Sequence, residues 1–232
     1  MLKDIRKKGV NRVIHITIQV ELIFSLIIMF ALALLFICAG KKVMAADPLQ
    51  KPKGIVLVCE TGIEMVYNYM KSIMPSQFES SYYPYFAMLF VYLVCANLSG
   101  LIGFDSPTSN YSITLAMTLV TFVLIQYNAF KKKGGFTYIK ELVWPPTNLL
   151  SAVAPLISLS MRLFGNVLSG TILMSLVYAF TGWLSGLISV PFNLFGPVIA
   201  PVLHAYFDIF SGCIQTLVFV TLSSILIAIE AE

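Results

Sequence analysis

Long apolar runs, broken by short polar stretches that carry prolines and glycines, organise this chain. Val20–Ala39 is nearly continuous in apolar residues. As a helix rising about 1.5 Å per residue it matches a hydrocarbon layer roughly 30 Å thick. Residues 20–40 are read as a first spanning helix and residues 1–19 as an N-terminal segment. Lys41–Lys53 follows as a polar loop with Pro48 and Pro52, both poor helix interiors. Residues 54–74 differ in kind. Val56, Leu57, Ile63, Val66, Tyr67 and Met70 are interleaved with Glu60, Glu64 and Lys71, the pattern of an amphipathic helix lying on a membrane surface. The competing reading there is a short spanning helix with buried charges.

Residues 84–130 hold two further spans. Pro84–Phe104 closes at Gly100–Gly103 and the Asp105–Pro107 turn, and Tyr111–Phe130 returns to Lys131, Lys132 and Lys133. Residues 147–232 read as a hairpin of two long helices. Its first arm, Asn148–Phe180, is apolar but studded with Ser151, Ser158, Ser160, Arg162, Asn166, Ser169 and Thr171. Gly182–Ser189 and Pro191 break the pattern, and Gly196–Pro201 loosens the start of the second arm. Val202–Ile229 is apolar again but carries His204, Asp208, Ser211 and Gln215. Each arm would run on the order of 40–50 Å, so both must tilt, bend or lie partly in the membrane plane.

Composition fixes the solvent. Apolar residues make up 58% of 232 positions and charged residues 11%, with a mean hydropathy of +0.87. A soluble domain carries about 25% charge, so lipid must face much of this chain. The fold class is an all-α polytopic membrane protein forming a single membrane domain, 1–232. The net charge of +4 lies in short runs beside apolar stretches, as membrane flanks require, and forms no basic face for nucleic acid. Cys38, Cys59, Cys95 and Cys213 are scattered without metal-ligand spacing and read as small apolar residues. The positive-inside rule puts Lys131–Lys133 in the cytoplasm. Counting from there places the C-terminus inside and the N-terminus outside. Lys3, Arg6, Lys7, Lys8 and Arg12 contradict that count, so charge alone does not orient the first helix. The first apolar run is long enough to span, and is read as retained rather than cleaved.

Two charges stand where hydrocarbon should be. Arg162 is flanked by Ile157, Leu159, Met161, Leu163, Phe164, Val167 and Leu168, and Asp208 lies between Phe207 and Ile209. An arginine at that depth costs roughly 2.5–3.5 kcal/mol on insertion scales, which makes intramembrane ionisable groups functional candidates. The helical neighbours of Arg162 are Ser158, Leu159, Gly165, Asn166, Ser169 and Gly170, and all but Leu159 are small or polar residues that let another helix approach. A bland alternative pairs Arg162 with Asp208 as a structural bridge. In the last helix His204, Asp208, Ser211 and Gln215 recur at four, three and four residues, a polar stripe able to line an ion path. For His204 a simple packing seam is an equal alternative.

These residues carry a resemblance. Ser158-Leu159-Ser160-Met161-Arg162-Leu163-Phe164-Gly165-Asn166 resembles the SLxxRLFGN signature of subunit a of rotary F-type ATP synthases, with Pro155 ahead of it. Asn97–Ile102 is similar to the family's NLxGLIP-like stretch, Pro107–Asn110 with Thr114 and Leu115 to its PTSxxxxTL turn, and Gln215 with Phe219 to its last-helix glutamine. The resemblance implies a long, tilted C-terminal hairpin packed against a rotor ring of c subunits, with peripheral-stalk b subunits and lipid as further partners. It implies that Arg162 faces the rotor carboxylate, and that Asn166 and Gln215 support it. Asp208 would belong to the outer half-channel, with His204, Ser211, Thr171 and Asn97 as polar support. Ser158, Gly165, Ser169 and Gly170 would form the rotor-facing row. Thr171, Gly100 and Ser151 depart from the family, standing where some members carry carboxylates. The implied role is a non-catalytic, ion-translocating stator, with protons the expected ion and Na⁺ the alternative; the lack of an obvious transit segment favours a bacterial plasma membrane over an organelle. No cofactor or metal is implied, and no HExxH, Asp-rich metal motif or Gly-rich phosphate loop appears. A self-contained secondary transporter would instead show an internal repeat with matching broken helices, and none is visible.

Overall fold

Backbone amides in lipid must bond within their own segment, and the apolar runs do so as helices. The computed structural model describes residues 19–45, 54–75, 79–102, 106–188 and 192–231. The basic stretch Lys3–Arg12, the prolines of the Lys41–Lys53 loop, Gly103, Asp105 and Pro191 lie outside the described residues. Within them the chain is helical, and five helices are long and apolar enough to cross a membrane: Val20–Met44, Tyr82–Leu101, Tyr111–Lys133, Pro146–Leu187 and Gly196–Glu230.

Helix α1, Val20–Met44, runs past the expected end at residue 40. Lys41 and Lys42 fall in its last turn, where they complement the helix dipole and can reach out of the hydrocarbon. Helix α2, Ile55–Ile73, exposes Glu60, Glu64 and Lys71. It seats Met70, with Met74 just beyond its end, in a cluster with Tyr83, Phe86, Ile125, Val220 and Ile227. Helix α3, Glu79–Leu98, begins before Pro84 rather than at it. Pro84 forfeits one backbone bond early in the helix, and the turn before it is held by Tyr82 donating to Asn128 Oδ1 at 3.0 Å and Tyr83 to the Met74 carbonyl at 3.1 Å.

A 3₁₀ turn at Ser99–Ile102 closes α3, and another at Pro107–Ser109 leads into α4, Tyr111–Lys133. Asn110 caps α4 by accepting from the Ser112 amide at 3.0 Å. Thr114, Thr118 and Thr121 are buried along α4. Their hydroxyls donate to the carbonyls of Tyr111, Thr114 and Met117. Such self-satisfied polar groups let α4 pack closely against its neighbours in lipid. A short helix α5, Gly135–Val143, was not predicted from the sequence.

Helix α6 runs unbroken from Pro146 to Leu187, 42 residues, or about 63 Å. This corrects the break expected from Gly182 onward. Thr181 and Ser185 donate to the Val177 and Thr181 carbonyls at 2.8 and 2.9 Å. Asn193 Nδ2 and the Leu194 amide fold back onto their hydroxyls at 3.0 Å each, so the helix persists through both glycines. Helix α7, Gly196–His204, a π-helical stretch Ala205–Ser211 and α8, Gly212–Ala231, complete the second arm.

The rods pack α4 on α6 and α8, and α3 on α8. Gln19 bonds Asn110 at one end of the molecule, so α1 and α4 start together. At the other end burial pushes the Tyr138 hydroxyl above its ordinary 10.0, a rise that Glu230 reinforces and Lys133 opposes. Lys41, Lys42, Lys71, Lys131, Lys132, Lys133 and Lys140, every lysine among the described residues, therefore cluster at that second end.

Candidate functional site

Two polar regions lie along the hairpin, on different faces of α6. The first is the row around Arg162. Arg162, Ser158 and Ser169 are exposed, and a β-carbon on Gly165 would meet no atom within 4 Å. Ser169 turns its hydroxyl back to the Asn166 carbonyl at 2.9 Å. Among the described residues Arg162 forms no hydrogen bond or ion pair, and the bridge to Asp208 does not form: Asp208 pairs with His204. Gly170, grouped with this row from its spacing, is buried instead, its β-position 3.5 Å from the Phe207 side chain. Eight residues at about 100° each leave it roughly 80° round the helix from Arg162, which turns it towards the second arm.

The second region is a cleft of ≈ 260 Å³ between α6, the end of α3 and the π-helical stretch. Asn97, Asn166, Gly170, Thr171, His204 and Asp208 are among its lining residues. His204 Nδ1 and Asp208 Oδ2 are 2.6 Å apart, and the imidazole Nε2 stands 3.3 Å from the Tyr178 hydroxyl. The stripe predicted for an ordinary α-helix is interrupted by the π geometry of residues 205–211, whose wider turn recurs at functional sites. Ser211 leaves the pair and donates to Asn166 Oδ1 at 2.6 Å. Gln215 lies further along, and its Nε2 is buried without a hydrogen-bond partner among the described residues. Thr171 lines the cleft while donating to the Leu168 carbonyl at 2.9 Å.

Asn97 fixes the floor. Its Nδ2 donates to the Gly212 carbonyl at 3.1 Å and to Thr216 Oγ1 at 3.2 Å, and its Oδ1 accepts from Thr108 at 2.9 Å. One amide thereby ties α3, α8 and the Pro107 turn together. The helices come so close that a β-carbon on Gly212 would sit 3.0 Å from that of Asn97. The departure at Gly100 is informative here, because its β-position is 4.0 Å from the Asp208 carboxylate. A side chain at residue 100 would enter the cleft beside Asp208.

The structure thus brings Asn97, Asn166, Thr171, His204, Asp208 and Ser211 together and holds Arg162, Ser158 and Ser169 apart from them. Sequence reasoning missed Tyr178. Its signal was available, since Thr171, Met174 and Tyr178 recur at helical spacing on the face that lines the cleft. Chemically, an imidazole bonded to a carboxylate in a polar cleft can accept and pass protons. A bare guanidinium on an apolar face can hold an anion without titrating.

Comparison with known proteins agrees in extent. The family model described as ATP synthase A chain matches residues 22–228. The chain is 32% identical over 224 residues to ATP synthase subunit a of Mycoplasma pneumoniae (strain ATCC 29342 / M129 / Subtype 1), covering 87% of this chain and 75% of that protein. It is 33% identical over 224 residues to ATP synthase subunit a of Mycoplasma genitalium (strain ATCC 33530 / DSM 19775 / NCTC 10195 / G37), covering 87% and 76%. With ATP synthase subunit a of Legionella pneumophila (strain Paris) it shares 29% identity over 183 residues, 76% of this chain and 77% of that protein.

Proposed function

This chain belongs to the ATP synthase A chain family, and we propose that it is the proton-translocating stator whose Arg162 separates two half-channels facing a rotor ring. It is a multi-pass membrane subunit of an ATP-synthesising complex, not a catalytic one. The observation that carries the proposal is the state of Arg162: exposed on a membrane helix and lacking a hydrogen bond or ion pair among the described residues. A bare guanidinium facing lipid is costly. A carboxylate from another subunit, presented by the c ring, removes that cost. Ser158, Gly165 and Ser169 keep the surrounding face low enough for a rotor helix to approach. Asn166 and Gln215 lie on the two arms as polar support.

The mechanism follows from which groups titrate. A rotor carboxylate crosses lipid as the neutral acid and must ionise only beside the stator. Arginine holds it ionised and, being effectively never deprotonated, carries no proton across itself. The cleft around Asp208 and His204 supplies the outer half-channel, with Tyr178, Asn97, Ser211 and Thr171 as its hydrogen-bonding wall. It lies towards the end away from the clustered lysines. The positive-inside rule makes the lysine end cytoplasmic, which puts the C-terminus of α8 inside. The second half-channel must then open to the lysine end on the other side of Arg162. The relatives reported above are bacterial, which supports reading the chain as a subunit of a bacterial plasma membrane, with peripheral-stalk b subunits as its proposed neighbours. Helix α2 exposes Glu60 and Glu64, which supports reading it as an amphipathic helix at the membrane surface.

The test is ATP-driven proton pumping in inverted vesicles, comparing wild type with Arg162→Ala at matched assembly of the complex. Loss of pumping supports the stator role. Retained pumping overturns it.

A further inference from the structure

The lysine end carries a surface remote from the Asp208 cleft. Helix α5 turns back from α4 at Gly134, whose φ of 77° favours glycine. Its inner face is pinned. Phe130 and Tyr138 meet edge to face at 6.2 Å, and the Tyr138 hydroxyl donates to Gln126 Oε1. Asn148 Nδ2, on α6, donates to the Glu141 carbonyl at 2.9 Å. At Gly135 a β-carbon would stand 2.5 Å from the tip of the half-exposed Phe130 ring, which would then have to swing aside.

The outer face is apolar and bare. Ile139 and Val143, one turn apart, are 55% and 64% exposed, and Trp144 beyond them is 77% exposed. Lys140 lies on the same short helix and Lys131 and Lys132 in the last turn of α4 that leads into it; all three are exposed and free of ion pairs among the described residues, while Lys133 pairs with Glu141 at 3.2 Å. Four lysines against Glu141 and Glu230 leave the neighbourhood positive.

Three properties select the occupant. The surface stands at the end of α4, where that helix leaves the hydrocarbon, so lipid headgroups are within reach. Tryptophan, with an apolar body and a single N–H donor, prefers that layer. Lysines beside an apolar face are drawn to anionic headgroups, each strengthening binding about fivefold. We infer that α5 with Trp144 is an interfacial anchor that binds anionic phospholipid headgroups at the root of α6. A helix of another subunit would cover the same apolar face but would leave the neighbouring lysines unmatched.

The test places a benzophenone amino acid at residue 144 of the assembled complex in vesicles of equal phosphatidylglycerol and phosphatidylcholine. After irradiation, adducts are identified by mass. The expected adducts are phospholipid, with phosphatidylglycerol adducts outnumbering phosphatidylcholine adducts about fivefold, against a bulk ratio of one. Combining Lys131→Gln, Lys132→Gln and Lys140→Gln should return the ratio to bulk. The same probe at Trp183, exposed at the other end of α6, should give the bulk ratio throughout. A protein adduct at residue 144, no adduct, a bulk ratio with the lysines intact, or enrichment that survives their removal would each overturn the inference. The assay reads contacts and not pumping, so its failure is distinct from failure of the stator reading.

Discussion

Arg162 and Asp208 are the two full charges that the hairpin carries at membrane depth, and the chain treats them in opposite ways. Asp208 is satisfied at home: His204 stands 2.6 Å from it, Tyr178 backs the imidazole, and a cleft admits polar company. Arg162 is left exposed with no hydrogen bond or ion pair among the described residues. An ionisable group that must exchange protons within one subunit needs fixed neighbours and room for water. One that must meet a moving carboxylate needs an empty seat. On the proposed function, the asymmetry would separate a conduit built within the chain from a contact completed by another subunit.

The largest way to break this comparison is Arg162→Ala. Pumping should fall below about 1% of wild type, the scale of losing a dedicated electrostatic group, while the complex still assembles. Measuring pumping per assembled complex in inverted vesicles checks both parts. Cysteines at Ser158, Gly165 and Ser169 should also cross-link to a rotor helix, and a cysteine at Gly170 should not.

Asp208→Asn should slow pumping about tenfold, less than the roughly hundredfold of losing a general acid or base outright because polar neighbours remain in the cleft, with assembly unchanged. Flux equal to wild type would remove Asp208 from the path. Gly212→Ala comes next. The added methyl would crowd Asn97, which is held by three hydrogen bonds and cannot easily yield. We expect a loss of about 1–2 kcal/mol in stability, read from thermal dissociation of the complex. An unchanged midpoint would mean that α3 and α8 can move apart freely. The smallest effect belongs to Tyr178→Phe, which deletes one long, exposed hydrogen bond to His204. Pumping should drop no more than about twofold. A loss as large as that of Asp208→Asn would make Tyr178 a member of the relay rather than its wall.

Much of the architecture was legible because lipid imposes a simple rule. A long apolar run must satisfy its own backbone, so Val20–Ala39, Pro84–Phe104 and Tyr111–Phe130 could only be helices of nearly the lengths observed. Arg162 and Asp208 stood out for the same reason, as charges in the wrong solvent. Helix α5 was not legible: at nine residues it shows about two and a half turns, and Gly134 and Gly135 read as punctuation. The break expected after Phe180 failed because Thr181 and Ser185 bond into the helix and carry it past Gly182. The π-helical stretch was equally hidden, since its residues have no composition of their own.

The sequence by itself determined the solvent, the number of long apolar helices, the hairpin and the two charges on it. These follow from transfer energies of individual residues and from helical periodicity, which are local properties. Only the tertiary structure decided how each charge is answered. Whether Asp208 meets His204 or Arg162, whether Gly170 faces outward or Phe207, and whether Asn97 ties three elements together depend on helix rotation and on a π-widened turn. Those are set by side chains tens of residues apart in the chain, which meet only when the helices pack.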